Sequence, residues 1–202
     1  IHFKPMIVSP RLAVRPPWEE IEAAPGRRTI VLNPGMSFGT GQHATTRFCL
    51  AAIDDFSASR PERLSFLDAG CGSGILAIAA CKLGCGPVRA FDIDPDAIPI
   101  ARENARENGV PDADLELAVS SLLDYPADMR FDFAAANILS GALIQGADRL
   151  LSLVKPGGRL ILAGILSSEY PVVRACFEKR GCKELSSATE QEWTGGVFQT
   201  PA

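Results

Sequence analysis

Histidine is scarce in this chain, and its cysteines lack the spacing of metal ligands. The 202 residues include two histidines and six cysteines, and no two cysteines form a Cys-x-x-Cys pair. Structural zinc sites usually draw their ligands from such pairs, so we expect no metal site. Most of the cysteines fall in predicted apolar helices or in a glycine turn, which indicates buried, reduced thiols and a cytoplasmic location.

Long apolar runs and an excess of basic residues are also missing. No stretch is long enough to span a bilayer and none has the pattern of a signal peptide, so no membrane association is expected. Twenty Lys and Arg stand against 24 Asp and Glu, which gives a net charge of −4 and a pI of about 5.3. Because nucleic-acid-binding proteins usually carry a basic surface, we expect no direct nucleic-acid partner. A basic protein substrate suits this charge better.

Strands and helices alternate along most of the chain. The predicted strands are 64–69, 88–92, 115–119, 131–136, 159–163, 183–187 and 192–198, and the predicted helices are 45–56, 75–83, 95–108, 142–153 and 169–180. Such alternation predicts an α/β fold with a doubly wound, mostly parallel seven-stranded sheet. The last two strands are predicted to form a carboxyl-terminal antiparallel hairpin.

Residues 1–34 differ from the rest of the chain in their high proline content. Two short strands are predicted there, at 11–15 and 29–32, with a hairpin as one interpretation. We interpret 1–34 as a linker segment and 35–202 as the single domain that carries the sheet.

A glycine turn, Gly70-Cys71-Gly72-Ser73-Gly74, follows the first strand of the predicted sheet, directly after Asp68-Ala69. Glycines let a ligand lie against bare backbone, and ligands of such sheets bind beyond the carboxyl ends of the strands. A dinucleotide fingerprint needs a further glycine at position 75, which is Ile75 here. The turn therefore favours a nucleoside ligand without a pyrophosphate. Glycines that serve only packing are the alternative.

A carboxylate ends the next predicted strand. Asp92 lies 22 residues after Gly70, a position from which a carboxylate can bind ribose hydroxyls. Its neighbour Asp94 is interpreted as a helix cap. Together with the antiparallel end of the sheet, these residues point to S-adenosylmethionine, which has a ribose and an amino acid tail but no phosphate. Ser120 and Ser121, after the third strand, are candidates for the adenine end of the site, with ordinary loop serines as the alternative.

The loop before the helix at 45–56 has a distinctive sequence. It reads Asn33-Pro34-Gly35-Met36-Ser37-Phe38-Gly39-Thr40-Gly41-Gln42-His43-Ala44-Thr45-Thr46. This loop resembles the signature loop of bacterial ribosomal-protein lysine methyltransferases of the PrmA type, which modify protein eleven of the large ribosomal subunit. The resemblance continues through the glycine turn and through 92–95, 104–109, 136–139, 153–158 and 192–193.

The resemblance implies an S-adenosylmethionine-dependent methyltransferase domain over 35–202, an N-methyltransferase activity and a ribosomal protein as substrate. The sequence departs from the pattern of this family in two ways. Ala44 replaces a usual proline, and the small amino-terminal domain that captures the ribosomal protein is absent. Because the chain begins with Ile1, we interpret it as a catalytic-domain fragment or as a shortened relative with another substrate.

The resemblance also assigns roles to individual residues. It implies cofactor contacts at Thr46, which would hold the methionine tail, at Gly70 beneath the cofactor and at Asp92 on the ribose. Asn137 would face the reacting methyl group and orient the acceptor amine, with a strand-end cap as the alternative. The full predicted cofactor set is Thr46, Asp68, Gly70, Gly72, Gly74, Asp92, Ser121 and Asn137.

Further candidate residues lie in this loop and near it. Glycines at 35, 39 and 41 predict a loop that closes over the cofactor, with a glycine-rich connector as the alternative. Phe38 would cover the site or pack in the core, and His43 would cap or shield the site. Trp193, in the last predicted strand, is expected in the core.

Several other functions stay open from the sequence. Methyl transfer to a small molecule or RNA is one, and a non-catalytic cofactor-binding module is another. Asn137-Ile138-Leu139-Ser140 lacks the Asn-Pro-Pro-Tyr/Phe pattern that grips planar amide or base groups. A nicotinamide dehydrogenase is disfavoured by Ile75.

Overall fold

Ten strands and six helices occur in the computed structural model, which describes residues 4–33, 43–60 and 62–202. The strands are β1 (Met6–Ile7), β2 (Leu12–Arg15), β3 (Arg28–Val31), β4 (Phe66–Ala69), β5 (Val88–Asp92), β6 (Leu115–Val119), β7 (Phe131–Asn137), β8 (Val154–Leu166), β9 (Lys183–Glu190) and β10 (Trp193–Gln199). The helices are α1 (Ala44–Ala58), α2 (Ile75–Lys82), α3 (Ala97–Glu107), α4 (Ser140–Gln145), α5 (Ala147–Leu153) and α6 (Tyr170–Glu178).

Seven strands form the main sheet, in the order β6-β5-β4-β7-β8-β10-β9. The first five of these run parallel, whereas β10 is antiparallel to both of its neighbours, β8 and β9. This order confirms the predicted doubly wound, mostly parallel sheet with an antiparallel end. Strand order reverses between β4 and β7, which places the carboxyl ends of both strands at the switch point where such folds bind ligands.

Apolar layers cover both faces of the sheet. All four residues of β4 are buried, as expected for a central parallel strand that has helices on both sides. One core contains Phe66 and Phe133 together with residues of α1, α2, α3, β2 and β3. The other contains Leu67 and Leu160 with residues of α4, α5 and α6. These two cores fix the strand ends that form the site.

The amino-terminal strands differ from the predicted hairpin. β2 pairs in parallel with β3, and the antiparallel partner of β2 is the short strand β1. The parallel pair needs a crossover, which residues 16–27 supply; Arg15 organises its start by donating to the carbonyl oxygens of Pro16 and Glu19 at 3.0 and 2.9 Å. The boundary predicted between residues 34 and 35 stays a prediction.

Two predicted helices also have different bounds. The helix expected over 142–153 is two helices, α4 and α5, that meet at Gly146, where any side chain would overlap Leu122. The helix expected to begin at Pro95 begins at Ala97, after a turn in which the Asp94 carboxylate accepts the N–H of Asp96 at 2.9 Å. The N-cap residue of α3 is Asp96, so the prediction that Asp94 caps the helix is wrong, and Asp94 holds the turn before it.

Among the described residues, no helix is long and apolar enough to cross a membrane. The cysteines are free thiols: Cys49, Cys71, Cys85 and Cys182 are buried, and Cys81 and Cys176 are half-buried. Within the same described ranges, no cluster of His, Cys, Asp and Glu is arranged to hold a metal ion.

Candidate active site

A cavity of about 360 Å³ lies at the carboxyl ends of β4, β5 and β7. Most of its lining is apolar, with a few polar groups, which is the usual composition of a small-molecule site. The lining residues are Thr46, Ala69, Gly70, Cys71, Gly72, Ile75, Leu76, Phe91, Asp92, Ile93, Ser120, Leu122, Asn137, Ile138, Leu139 and Ala142. Five of the predicted cofactor residues therefore meet at one cavity: Thr46, Gly70, Gly72, Asp92 and Asn137.

The glycine turn is held against β5 by its own backbone. The N–H groups of Gly70 and Cys71 both donate to the carbonyl oxygen of Phe91, at 2.9 and 3.0 Å. Gly70 has a φ of +79°, a conformation that favours glycine. A side chain at this position would overlap the Ile138 side chain. The close approach of Ile138 therefore requires glycine at 70.

Asp92 offers a carboxylate that two backbone N–H groups hold in place. Its Oδ2 accepts the N–H of Gly72 at 2.7 Å, and its Oδ1 accepts the N–H of Asp94 at 3.0 Å. Each carboxylate oxygen has two lone pairs, so both oxygens keep capacity for a ligand hydroxyl. A half-buried carboxylate fixed in this way is suited to a ribose diol.

Asp68 lies beneath the turn and does not line the cavity. It is fully buried, and its Oδ2 accepts the N–H of Ala77 at 3.1 Å. Its Oδ1 is buried without a hydrogen-bond partner among the described residues. Burial raises the pKa of the Asp68 carboxyl to about 7, although the hydrogen bond from Ala77 opposes this shift. Asp68 thus joins the end of β4 to the first turn of α2.

Thr46 carries the clearest sign of a missing polar partner. The residue is 1% exposed and lines the cavity, and its Oγ1 is buried with no hydrogen-bond partner in the described ranges. Buried polar atoms in native proteins are almost always hydrogen-bonded. A polar ligand group at this end of the cavity would satisfy the hydroxyl.

Two further predicted residues lie away from the cavity lining. Gly74 precedes α2 and faces α3, where a side chain would come within 2.9 Å of the Ala101 Cβ. Ser121 donates its hydroxyl hydrogen to the Asp124 carboxylate at 2.6 Å. The serine that lines the cavity is the preceding one, Ser120.

Sequence reasoning missed the apolar part of the lining, above all Phe91, Ile93, Leu122 and Leu139. Ser120, a candidate beside Ser121 in the sequence, does line the cavity, because it directly follows the last residue of β6 and parallel strands end at one edge of the sheet. Side chains from loops, such as Leu122, carried no comparable signal.

His43 occupies the N-cap position of α1, next to the cavity residue Thr46. Its Nδ1 lies 2.8 Å from the Thr45 Oγ1, and its ring meets Trp193 edge to face at 4.9 Å. Trp193 is half-buried, so its predicted core position is wrong. The rest of the predicted loop, 35–42 with Phe38, lies outside the described residues.

The strand order and the cavity at the switch point define a class: the fold is that of the Rossmann-like methyltransferases. Comparison with known proteins agrees. Residues 1–200 match the family described as Ribosomal protein L11 methyltransferase (PrmA), and the chain belongs to this family.

Curated relatives and solved structures place the chain within that family. The Ribosomal protein L11 methyltransferase of Geobacter sulfurreducens is 43% identical over 198 residues, which are 98% of this chain and 63% of the relative. That of Myxococcus xanthus is 43% identical over 91% of this chain and 61% of its own length. The chain thus spans less than two thirds of these relatives.

The crystal structure of ribosomal protein L11 methylase from Lactobacillus delbrueckii subsp. bulgaricus superposes with a TM-score of 0.87 at 32% identity, over 99% of this chain and 100% of that one. The N-methyltransferase NodS from Bradyrhizobium japonicum, in complex with S-adenosyl-L-homocysteine, has a TM-score of 0.66 at 15% identity, over 82% of this chain and 92% of that one. The NodS likeness shows the fold alone.

Proposed function

We propose that this chain transfers methyl groups from S-adenosylmethionine to amines of ribosomal protein L11. The observation that carries the cofactor assignment is that one cavity is lined by both the fixed Asp92 carboxylate and the unsatisfied Thr46 hydroxyl. Family membership and the 43% identity to the ribosomal protein L11 methyltransferase of Geobacter sulfurreducens support the acceptor. The acceptor amines in this proposal are lysine side chains or the amino terminus.

The donor set of the cavity fits the cofactor. Asp92 would accept the ribose hydroxyls, and Thr46 would bind the polar methionine tail. The bare backbone of Gly70 and Gly72 gives space for close approach, and Ser120 with apolar neighbours would receive the adenine. When bound, S-adenosylmethionine supplies an electrophilic methyl group on a sulfonium.

The role of this chain in methyl transfer is alignment and desolvation. An acceptor lysine must be neutral to attack, and its ordinary pKa is about 10.4. An apolar site next to a positive charge lowers that pKa, and Ile138 and Leu139 supply apolar surface at the cavity. The Asn137 side-chain oxygen would accept a hydrogen bond from the amine and direct its lone pair at the methyl group. Alignment of this kind can contribute about 7–11 kcal/mol to lowering the barrier.

Calorimetric titration tests the cofactor assignment. The chain is titrated with S-adenosylmethionine, S-adenosylhomocysteine and NAD, in parallel with Asp92→Ala and the matched control Asp94→Ala. We expect the first two ligands to bind, Asp92→Ala to lose that binding, and Asp94→Ala to retain it. The proposal would be overturned if neither S-adenosylmethionine nor S-adenosylhomocysteine bound, or if NAD bound in their place.

Mass spectrometry tests the acceptor. The chain is incubated with S-adenosylmethionine and native L11, or with L11 whose amines have been blocked by acetylation. We expect mass increments of one or more methyl groups on native L11 only. Transfer to blocked L11, or to RNA or small molecules instead, would assign a different acceptor class.

The remaining parts of the proposal concern location and organisation. We propose that the protein acts in the cytoplasm, where ribosomal proteins are made, and that 35–202 form the catalytic unit while 1–34 serve as a linker segment. The packing of Leu12 and Ile30 in the same core as α1 and α2 supports a firm attachment of that segment.

A further inference from the structure

Two glycines flank Asn137 and Ile138 at the end of β7: Gly70, directly after β4, and Gly164, within β8. On one side, the Ile138 side chain lies where a side chain of Gly70 would be. On the other side is Gly164, which follows the β7–β8 pair formed by Asn137 and Ala163. A Cβ added to Gly164 would lie 2.7 Å from the Ile138 carbonyl oxygen, 3.0 Å from the Ile138 nitrogen and 3.1 Å from the Asn137 Oδ1.

Contacts of this length leave no room for a methyl group. Real Cβ atoms essentially never approach another atom within 3.0 Å, so the backbone of Ile138 would have to shift, and the Asn137 Oδ1 would have to move by a few tenths of an ångström. The Asn137 side-chain oxygen therefore lies against Gly164, on the side where a Cβ would be. Gly164 also has a φ of +78°, so its conformation and its contacts both favour glycine.

Hydrogen bonds do not explain the position of the Asn137 carboxamide. Among the described residues, neither its oxygen nor its nitrogen has a hydrogen-bond partner within the protein. The far end of the same segment is tied down, because Ser140 donates a hydrogen bond to the carboxylate of Glu169, at the N-cap of α6. With Ser140 anchored and Ile138 seated on Gly70, the remaining support for the carboxamide is packing on Gly164.

We propose that Gly164 is a positioning residue for methyl transfer, which aims the Asn137 carboxamide into the cavity by steric contact with its bare α-carbon. This inference rests on the proposed function for its catalytic consequence, but not for its structural part. A methyl group at Gly164 would displace the Asn137–Ile138 backbone, and the amine acceptor would lose its alignment. Thr46 and Asp92 lie on other elements, so the cofactor would still bind.

The test compares Gly164→Ala with Gly109→Ala. Gly109 has a φ of +69° and nothing within 4 Å of an added Cβ, so it controls for backbone strain without contact. Three quantities are measured: the NMR signals of the Asn137 side-chain amide, the Kd of S-adenosylmethionine and the kcat for methyl transfer to L11. We expect Gly164→Ala to shift the amide signals and lower kcat at least tenfold, with Kd within about threefold, and Gly109→Ala to leave kcat unchanged.

A double-mutant cycle separates positioning from general damage. If Gly164 acts through Asn137, the variant Asn137→Ala/Gly164→Ala loses no more activity than Asn137→Ala alone. Additive losses, unshifted Asn137 signals or an equal kcat loss in Gly109→Ala would each overturn the proposal.

A second measurement needs no variant and can be made even if Gly164→Ala does not fold. It is NMR relaxation of the Asn137 side-chain amide in the cofactor-free wild-type protein. We expect an ordered amide, and a freely mobile one contradicts the inference. Failure of the wild type to bind S-adenosylmethionine or to methylate L11 would overturn the proposed function while leaving both NMR outcomes interpretable.

Discussion

The carboxyl of Asp68 is fully buried, and its charge state couples the site to pH. Burial raises its pKa to about 7, whereas an unfolded chain ionises aspartate near pH 4. Between these values the folded state holds a proton that the unfolded state has released. The free energy of unfolding contributed by Asp68 therefore falls as the pH rises from about 4 to about 7.

Asp68→Asn should remove this pH dependence. The amide oxygen still accepts the Ala77 N–H, and it carries no charge at any pH. We expect the ligand-free variant to be more stable than the wild type at pH 8, by an amount on the order of 1–4 kcal/mol, with the gain vanishing near pH 4. Urea unfolding at several pH values measures it. If the free energy of unfolding of the wild type changed with pH as that of the variant does, the burial of Asp68 would have no effect on its ionisation.

The unsatisfied hydroxyl of Thr46 predicts opposite effects on stability and on binding. Thr46→Val keeps the shape and removes a buried hydroxyl that has no partner among the described residues, so the ligand-free protein should be equally or more stable. Affinity for S-adenosylmethionine should fall at least about tenfold, because a hydrogen bond to a charged group contributes roughly 1.5–3 kcal/mol. Thermal melts and calorimetry measure the two effects.

Thr45→Val is the matched control, since the Thr45 hydroxyl lies 2.8 Å from the His43 Nδ1. This variant should lose stability and retain more cofactor affinity than Thr46→Val. Equal behaviour of the two variants would contradict the assignment of Thr46 to the ligand.

Among the elements, β4, β7 and β8 are joined at the edge of the sheet opposite the cavity by one carboxylate. Asp132 accepts hydrogen bonds from the Ser65 N–H at 2.9 Å, the Ser65 hydroxyl at 2.6 Å and Lys155 at 2.8 Å. Burial alone would raise the pKa of Asp132, but the hydrogen bonds from Lys155 and Ser65 outweigh it and hold the pKa below its usual value. The stabilisation is thus present above about pH 4 and is lost as the pH falls further.

Asp132→Asn should lower the free energy of unfolding at pH 7 by about 1–3 kcal/mol, and the difference from wild type should shrink below about pH 4. Chemical denaturation at both pH values tests this. Asp128→Asn, which removes an exposed partner of Arg89, should change stability by less than about 1 kcal/mol. A loss of equal size in the control would assign the effect to surface charge in general.

The strands that form the site were the most predictable elements of this fold. β5 and β6 have the predicted bounds, because both are short runs rich in apolar residues between clear turn signals. The predicted helix over 142–153 divides at Gly146, against which Leu122, a residue from a distant loop, packs. The direction of β3 likewise depends on tertiary pairing with β2, which local patterns do not encode.

The same distinction applies to the candidate site. Asp92 and the glycine turn carry signals in their spacing along the chain, and the structure brings both to the cavity. Gly164 gave no such signal, since its partner Asn137 is distant in sequence and the contact is visible only once β7 and β8 are paired. Resemblance to a family found Asn137, but only packing shows what supports it.

At the scale of the whole molecule, an exposed leucine beside the cavity is a candidate contact for a protein substrate. Leu139 is 76% exposed although it lines the cavity, so part of its side chain faces outward where an acceptor protein would approach. Burial of a leucine side chain contributes about 1.5–3 kcal/mol. If L11 covers Leu139 on binding, Leu139→Ser should raise the KM for L11 about five- to tenfold and leave the Kd of S-adenosylmethionine within about threefold.

Val172→Ser provides the matched control for surface hydrophobicity. Val172 is 61% exposed on α6 and does not line the cavity, so its substitution should leave both KM and Kd unchanged. Steady-state kinetics with L11 and cofactor titrations on both variants measure this difference. A loss of cofactor affinity in Leu139→Ser that equals the change in KM would place Leu139 in the cofactor site, and an unchanged KM would mean that L11 docks elsewhere on the protein surface.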